Sequence, residues 1–127
     1  MDLNLTNKVV LVTGAAQGIG KAGVMRFLDE GAIVYCGDVN QDQLESLKQE
    51  RPSEKLHSLF FDVTDSQSVA EGVAKIVAAE GQIDVLFHNA MSAEYVNNCD
   101  RSVTELSEEV WTKITTLVLD GTYHCLK

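Results

Sequence analysis

Positive charge is scarce in this sequence, which has 10 Lys and Arg residues against 19 Asp and Glu residues and a formal net charge of −9 at pH 7. A surface of this sign repels the phosphates of nucleic acids and anionic lipid headgroups. The sequence also lacks the run of roughly 20 apolar residues that a membrane-spanning helix requires, and its first residues do not combine a basic segment with an apolar one. We therefore expect no nucleic acid partner, no membrane partner and a cytoplasmic location.

Cysteine is also rare, and its spacing argues against two further classes of protein. Cys36, Cys99 and Cys125 are odd in number and never stand as Cys-x-x-Cys, so they indicate reduced thiols rather than a disulfide framework or a zinc site. We expect no metal site. No linker or low-complexity segment divides the chain. With 45% hydrophobic and 23% charged residues, residues 1–127 are expected to form a single domain around one core.

What the sequence does contain is a fourfold alternation of short apolar runs with helical patterns. Near-continuous apolarity in such runs is typical of parallel strands that are buried on both faces. Strands joined by helices of this length are parallel with right-handed crossovers, which predicts an α/β fold with helices on both faces of the sheet. The predicted strands cover residues 9–12, 33–36, 56–61 and 83–87. The predicted helices cover residues 18–30, 41–50 and 66–80, and a fourth begins near Ser107.

The segment between the first apolar run and the first helix is rich in glycine. Glycine lets a loop turn tightly and lets the backbone approach a pyrophosphate closely, while the following helix offers unpaired N–H groups and the positive end of its dipole to an anion. A strand, a glycine loop and a helix in this order predict a nucleotide site. A plain structural turn is the alternative, and a P-loop is disfavoured because no Walker lysine follows the glycines. The segment reads Thr13-Gly14-Ala15-Ala16-Gln17-Gly18-Ile19-Gly20.

The usual dinucleotide-binding architecture is a doubly wound, Rossmann-type parallel sheet of six strands in the order 3-2-1-4-5-6. This chain supplies the first four strands, with the expected order 3-2-1-4. The fourth strand would then be an apolar edge that is open to further pairing. We therefore expect residues 1–127 to be one NAD-binding domain that is incomplete at its C-terminus, either as a fragment of a longer protein or as one partner of a complementing pair.

A carboxylate stands where the second predicted strand ends. Asp38 follows Gly20 at about the distance at which an acidic residue can accept hydrogen bonds from both hydroxyls of an adenosine ribose. It would repel a 2′-phosphate, and Gln17, Val39 and Asn40 add no positive charge to attract one. NAD is therefore favoured over NADP as the cofactor. An ordinary turn or helix-capping role for Asp38 is the alternative.

The glycine spacing of residues 13–20 resembles the Thr-Gly-x-x-x-Gly-x-Gly signature of the short-chain dehydrogenase/reductase family. Two later pairs agree with this family as well. Asp62-Val63 matches its Asp-Val pair, and Asn89-Ala90 matches the middle of its Asn-Asn-Ala-Gly motif. The resemblance covers essentially the whole chain and implies an NAD-dependent oxidoreductase. It implies that the cofactor-binding residues are Gly14, Gln17, Gly18, Ile19, Gly20, Asp38, Val39, Asp62, Val63, Asn89 and Ala90.

The resemblance also assigns roles at the ends of the third and fourth strands. Asp62 would address the adenine amino group, although a helix-capping role is the alternative, and Asn89 would tie the sheet to the cofactor. His88 and Met91 depart from the family motif. Met91 adds a side chain where the family leaves room near the ribose and nicotinamide. His88 can titrate near neutral pH, but we interpret it as filling a structural position at the strand end rather than as catalytic.

The resemblance implies that the catalytic residues lie outside this chain. In the family, hydride passes between nicotinamide and an alcohol or carbonyl carbon, a Tyr beside a Lys transfers the proton, a Ser polarises the substrate oxygen, and an Asn supports a relay. The Ser and the Tyr-x-x-x-Lys pair follow the fourth strand and its helix. Tyr123 and Lys127 have the right spacing, but they align with an ordinary helical segment, so we interpret them as packing and surface residues. The same alignment puts Val118, which cannot hydrogen-bond a water, at the relay Asn.

Two functions remain open at this point. The first is the N-terminal part of an NAD-dependent short-chain oxidoreductase for a small-molecule alcohol or carbonyl, expected to be a homo-oligomer when complete and inactive as residues 1–127 alone. The second is a non-catalytic NAD-binding module, or pseudo-enzyme, that acts through a partner. The helix with Trp111 and Gly121 resembles the family's subunit-interface helix, although core packing within one subunit explains Gly121 as well.

Overall fold

The computed structural model of the protein describes residues 2–92, 95–99 and 101–127. Within them, the strands are β1 (Val9–Thr13), β2 (Ile33–Asp38), β3 (Leu56–Phe60) and β4 (Val85–His88). The α-helices are α1 (Gly18–Asp29), α2 (Gln41–Glu50), α3 (Ser66–Glu80), α4 (Glu108–Thr115) and α5 (Gly121–Leu126). Two further segments, Tyr95–Cys99 and Thr116–Asp120, form π-helical turns.

The four strands form a parallel sheet in the order β3-β2-β1-β4. β1 lies inside the sheet, where Val10 pairs with Val34 of β2 and with Val85 of β4. All five residues of β1 are buried, which explains why its sequence is continuously apolar up to its last residue, Thr13. The parallel sheet, its strand order and the helices that flank it confirm the predicted α/β, Rossmann-type fold.

Alternate residues of β1 point to opposite faces of the sheet, as they do in any strand, and contribute to two separate cores. Val10 and Val12 belong to the core that α1 and α2 cover. Val9 and Leu11 belong to the core that α3 covers, which Leu117 and Cys125 also contact. The helices therefore lie in two layers, and the carboxyl ends of the strands are left as the place where loops from both layers meet.

The last helical region begins where it was predicted but is not one regular helix. Ser107 accepts a hydrogen bond from the backbone N–H of Val110 and so caps α4. The π-helical turn Thr116–Asp120 then separates α4 from α5. At the start of α5, a Cβ on Gly121 would lie 2.8 Å from Cγ2 of Val63, so glycine lets this helix lie directly against the segment that follows β3. Packing within the chain therefore accounts for Gly121.

Two regions of the surface leave apolar side chains accessible. The edge strand β4 has four residues that are each only partly buried. On the last helical region, Trp111, Leu119 and Tyr123 are 60%, 64% and 61% exposed. In the part of the chain that the structure describes, no helix combines the length and the apolarity needed to cross a bilayer.

Candidate functional site

The glycine loop lies between the carboxyl end of β1 and the first turn of α1, and its three glycines meet different requirements. A Cβ on Gly14 would lie 2.8 Å from the Cα of Ala90, and one on Gly20 would lie 2.0 Å from the carbonyl oxygen of Gly14. These two positions therefore exclude any side chain because backbone approaches backbone. Gly18 has a φ of +57° and nothing within 4 Å of a Cβ. Its requirement is conformational, since this φ is unfavourable for other residues.

The end of β4 is joined to the end of β1 by a group of hydrogen bonds around Thr13. The Thr13 hydroxyl accepts from the backbone N–H of Asn89 at 3.0 Å and of Ala90 at 3.1 Å, and it lies 2.9 Å from Nδ1 of His88. The side-chain amide of Asn89 also donates to the carbonyl oxygen of Gly14 at 3.2 Å. The predicted residues Gly14, Asn89 and Ala90 are therefore in direct contact.

Asp38 lies at the carboxyl end of β2, beside this loop. Its Oδ2 accepts from the backbone N–H of Ala16 at 3.0 Å, and its Oδ1 accepts from the backbone N–H of Asn40 at 3.0 Å. Asp38 thus connects β2 to the glycine loop. Each carboxylate oxygen keeps further acceptor capacity beyond one such bond. Gln17, which follows Ala16, and Val39, which follows Asp38, are exposed and uncharged.

The predicted residues after β3 make contacts within the chain. Oδ1 of Asp62 accepts from the backbone N–H of Thr64 at 2.9 Å and from its hydroxyl at 2.7 Å. The side chain of Val63 is 3% exposed and packs on Gly121, and its carbonyl oxygen accepts a bond from Nδ1 of His124 at 2.8 Å. Asp62 thus forms a local turn, whereas the helix-capping role that was its alternative belongs to Asp65. A cofactor role for Asp62 and Val63 stays a prediction.

No side chain caps the N-terminus of α1 within the described residues. The other helices that follow strands differ, because Asn40 caps α2 and Asp65 caps α3 through side-chain oxygens. The first turn of α1 also contains no acidic residue. Its N–H groups and its positive dipole end therefore face the glycine loop without a side-chain acceptor, which suits an anionic ligand. Ile19 in this turn is 74% exposed.

The residues discussed for catalysis lie on the last helical region. Val118 is part of the π-helical turn and is 40% exposed. Tyr123 lies two residues beyond the buried Gly121, which is about 200° around an α-helix and so on the opposite side from Val63. The ammonium of Lys127 is 5.8 Å from the centre of the Tyr123 ring. Their interpretation as packing and surface residues stays a prediction.

Sequence reasoning missed the junction of Thr13 and His88. The sequence pattern places Thr13 first in the glycine signature but does not indicate a junction, although its side chain is fully buried. The signal was available as a hydroxyl at the end of an otherwise apolar strand. Its partners could not be named, because the pairing of β1 with β4 joins residues that are 75 positions apart. Of the described residues, none form a cluster of three or more His, Cys, Asp or Glu that could hold a metal ion.

Comparison with known proteins assigns this constellation to a family. The family model described as short chain dehydrogenase matches residues 8–127. This chain belongs to the short-chain dehydrogenase family. The family consists of oxidoreductases that bind a nicotinamide cofactor and act on small molecules, which confirms the resemblance drawn from the motifs.

Several relatives are similar over nearly the whole chain. The 3-oxoacyl-(acyl-carrier-protein) reductase of Thermotoga maritima is 36% identical over 96% of this chain, which corresponds to 48% of that protein. The NAD-dependent glycerol dehydrogenase of Listeria innocua is 36% identical over 96% of this chain and 46% of its own length. A crystal structure of a short chain dehydrogenase from Bacillus anthracis superposes with a TM-score of 0.86 at 29% identity, covering 96% of this chain and 48% of that one. The chain spans about half the length of the relatives it matches.

The different requirements of the glycines can be tested by measuring the free energy of unfolding of alanine variants. We expect Gly20→Ala to lower the free energy of unfolding by at least about 2 kcal/mol, because its Cβ would overlap a backbone oxygen that cannot move without opening the loop. Gly18→Ala should lower it by about 1 to 2 kcal/mol through backbone strain alone. Urea denaturation followed by circular dichroism measures both.

Gly81→Ala is the matched control for this comparison. Gly81 has a φ of +88° and nothing within 4 Å of a Cβ, but it ends α3 rather than lying in the loop. It should behave like Gly18→Ala. A Gly20→Ala variant that is no less stable than these two would contradict the close contact of Gly20 with Gly14.

Proposed function

We propose that this chain is the cofactor-binding, N-terminal part of an NAD-dependent oxidoreductase that transfers hydride between nicotinamide and an alcohol or carbonyl carbon of a small molecule. The observation that carries the proposal is the position of Asp38 at the end of β2, bonded to the glycine loop through Ala16. NAD, when bound, would supply or accept the hydride. The residues of this chain would hold NAD and disfavour NADP, which carries a 2′-phosphate.

The pyrophosphate would be bound by the glycine loop and by the first turn of α1. This assignment is supported by the uncapped N–H groups of Gly18, Ile19 and Gly20 and by the absence of an acidic side chain in that described turn. Nothing lies within 4 Å of where a Cβ on Gly18 would be, and this open space would be available to the pyrophosphate. The ammonium of Lys21, which follows this turn, is paired with Glu50 at 2.5 Å.

The choice of NAD over NADP follows from the charge and the remaining acceptor capacity of Asp38. Hydroxyl groups of the adenosine ribose can donate to its carboxylate oxygens, whereas a 2′-phosphate would bring two negative groups together. Val39 and Asn40, which follow it, provide no cation. The name of the Listeria relative, NAD-dependent glycerol dehydrogenase, agrees with this choice.

The remaining predicted residues would surround the other parts of the cofactor. Asp62 would contact the adenine, and Asn89 and Ala90 would border the ribose next to the nicotinamide. Ile19 offers an exposed apolar side chain that a bound cofactor would cover. Met91 is 57% exposed immediately after Ala90, so its side chain is free to turn away from the space that the family leaves open.

Proton transfer to or from the substrate is not assigned to any residue of this chain. Val118 has no group that could bind a relay water, and the exposed Tyr123 lies on the face of α5 away from Val63. We therefore propose that residues 1–127 bind NAD but do not turn over an alcohol by themselves. For the complete protein we propose a cytoplasmic location, supported by the free thiols of its three cysteines, and a homo-oligomer, supported by the exposure of Trp111.

The ribose assignment is tested by replacing Asp38. We expect Asp38→Ala to weaken NAD binding by roughly 10- to 100-fold, because hydrogen bonds to a charged group contribute about 1.5 to 3 kcal/mol. The same change should leave NADP binding equal or stronger, since a repelling charge is removed. Isothermal titration calorimetry of the folded chain with each cofactor measures the two dissociation constants.

Asp42→Ala is the matched control, because it makes the same change of side chain and charge on the exposed first turn of α2. It should leave the ratio of the two dissociation constants as it is in the wild type. Urea denaturation of both variants would show that each is folded during titration. An unchanged preference for NAD in folded Asp38→Ala would refute the ribose assignment.

The division between binding and chemistry is tested by activity. The chain should bind NAD in calorimetry yet produce no NADH above the uncatalysed rate when it is mixed with NAD and simple secondary alcohols. Tyr123→Phe should leave NAD binding unchanged, because the ring is 61% exposed on α5. Absorbance at the NADH band reports turnover. Turnover that Tyr123→Phe abolishes would show that Tyr123 is catalytic after all.

A further inference from the structure

The hydroxyl of Thr13 is fully buried and has three polar neighbours at the carboxyl ends of β1 and β4. The backbone N–H groups of Asn89 and Ala90 point to its oxygen at 3.0 and 3.1 Å, and Nδ1 of His88 lies 2.9 Å away. The three neighbours belong to consecutive residues that leave β4. This arrangement determines where the proton of each group must be.

A count of protons and lone pairs assigns the tautomer of His88. A threonine hydroxyl has one proton to donate and two lone pairs to accept with. The two backbone N–H groups can only donate, so they use both lone pairs. The Thr13 proton must then be directed to Nδ1 of His88, which can accept it only if that nitrogen carries no proton. His88 is therefore neutral in this arrangement, with its proton on Nε2.

Protonation of His88 is incompatible with the complete set of bonds. A protonated imidazole has N–H groups at both nitrogens, so Nδ1–H would face an oxygen whose lone pairs are already used. Either the His88 ring would have to turn away from Thr13, which removes the acceptor of the Thr13 proton, or one of the backbone bonds from Asn89 or Ala90 would have to open. The side chain is partly buried, and burial lowers the pKa of His88 below its ordinary value. Its hydrogen-bond partner is Thr13 of β1, and no charged side chain among the described residues contributes to the shift of its pKa.

The two backbone bonds also set the position of the glycine loop. A Cβ on Gly14 would lie only 2.8 Å from the Cα of Ala90. The side-chain amide of Asn89 donates a hydrogen bond to the carbonyl oxygen of Gly14. A shift of either residue would change the surface against which the loop rests. A titrating group is thus coupled to the proposed cofactor site through two hydrogen bonds.

We propose that His88 is a positioning residue for the cofactor site, which as a neutral acceptor of the Thr13 proton holds the end of β4 against the glycine loop, and that its protonation loosens this junction and weakens NAD binding. The binding part of this inference rests on the proposed function. The tautomer and the junction do not, because they concern the chain without a cofactor.

The sign of the pH dependence follows from the lowered pKa of His88. The neutral form is favoured in the folded chain, so the contribution of His88 to stability is complete above about pH 6.5, the ordinary value for histidine. It decreases as the pH falls below this value, where the unfolded chain gains a proton that the folded chain resists. NAD binding should weaken over the range in which the folded His88 itself takes up a proton.

Nitrogen NMR of the histidine imidazoles tests the junction without any cofactor. At about pH 8 we expect the chemical shifts of His88 to show Nε2 protonated and Nδ1 unprotonated. Lowering the pH should move the backbone amide signals of Asn89 and Ala90 with the same midpoint as the His88 ring. In Thr13→Val, which removes the donor to Nδ1, that midpoint should move to higher pH. A proton on Nδ1 at about pH 8, or amide signals that ignore the titration, would overturn the inference.

Calorimetry with NAD tests the coupling to binding. Between about pH 8 and pH 5.5 we expect the wild-type dissociation constant to rise about three- to tenfold, the effect of losing one hydrogen bond. His88→Asn, which retains an acceptor and cannot titrate, should bind as the wild type does at about pH 8 and lose this rise. His88→Leu, which has no acceptor, should bind weakly at both pH values.

His57→Asn is the matched control, because His57 lies on β3 and stacks on Tyr35 with ring centres 4.7 Å apart. It should keep the wild-type pH dependence. A rise that persists in His88→Asn would overturn the coupling. If NAD fails to bind at every pH while the NMR results are as expected, the proposed function fails and the junction stands.

Discussion

The close approach of two backbone segments, the start of the glycine loop and the residues that leave β4, is the constraint on which the rest of the site depends. Gly14 and Ala90 come so near that no side chain fits between them. The buried hydroxyl of Thr13 satisfies the polar groups that this approach removes from water, which a buried site requires. The carboxylate of Asp38, at the end of β2, is held beside the same junction by the hydrogen bond that it accepts from the backbone N–H of Ala16.

The sheet explains why this junction can exist at the carboxyl ends of the strands. β1 is buried on both faces; β4 ends level with it at the pair of His88 and Thr13, and β2 extends one residue further to Asp38. Helices in two layers cover the faces but leave the strand ends to the loops. In doubly wound sheets, ligands bind outside the carboxyl ends of the strands, at the point where the strand order reverses. In the proposed cofactor site, the uncapped N-terminus of α1 would bind the pyrophosphate, and the carboxylate of Asp38 would repel a 2′-phosphate.

Much of the fold could be predicted because it depends on residue patterns within short segments of the sequence. The apolar runs and the glycine signature located the strands and α1 to within a few residues, and the strand order followed from the architecture that the signature implies. The π-helical turn could not be predicted, since no residue type marks it. The bond of His88 to Thr13 could not be read either, because it depends on the register of β1 against β4. The contacts of Val63 with Gly121 and His124 could not be predicted for a similar reason, because they depend on where α5 packs.

The central claim is that the glycine loop and Asp38 form one NAD site in this chain. A titration of isotope-labelled chain with NAD, followed by two-dimensional amide NMR, tests it most directly. The account predicts that the signals of Gly18, Ile19 and Asp38 shift together with one dissociation constant, while those of Tyr123 and the rest of α5 beyond Gly121 stay in place. Signals that shift only on α5, or none that shift at millimolar NAD, would contradict it.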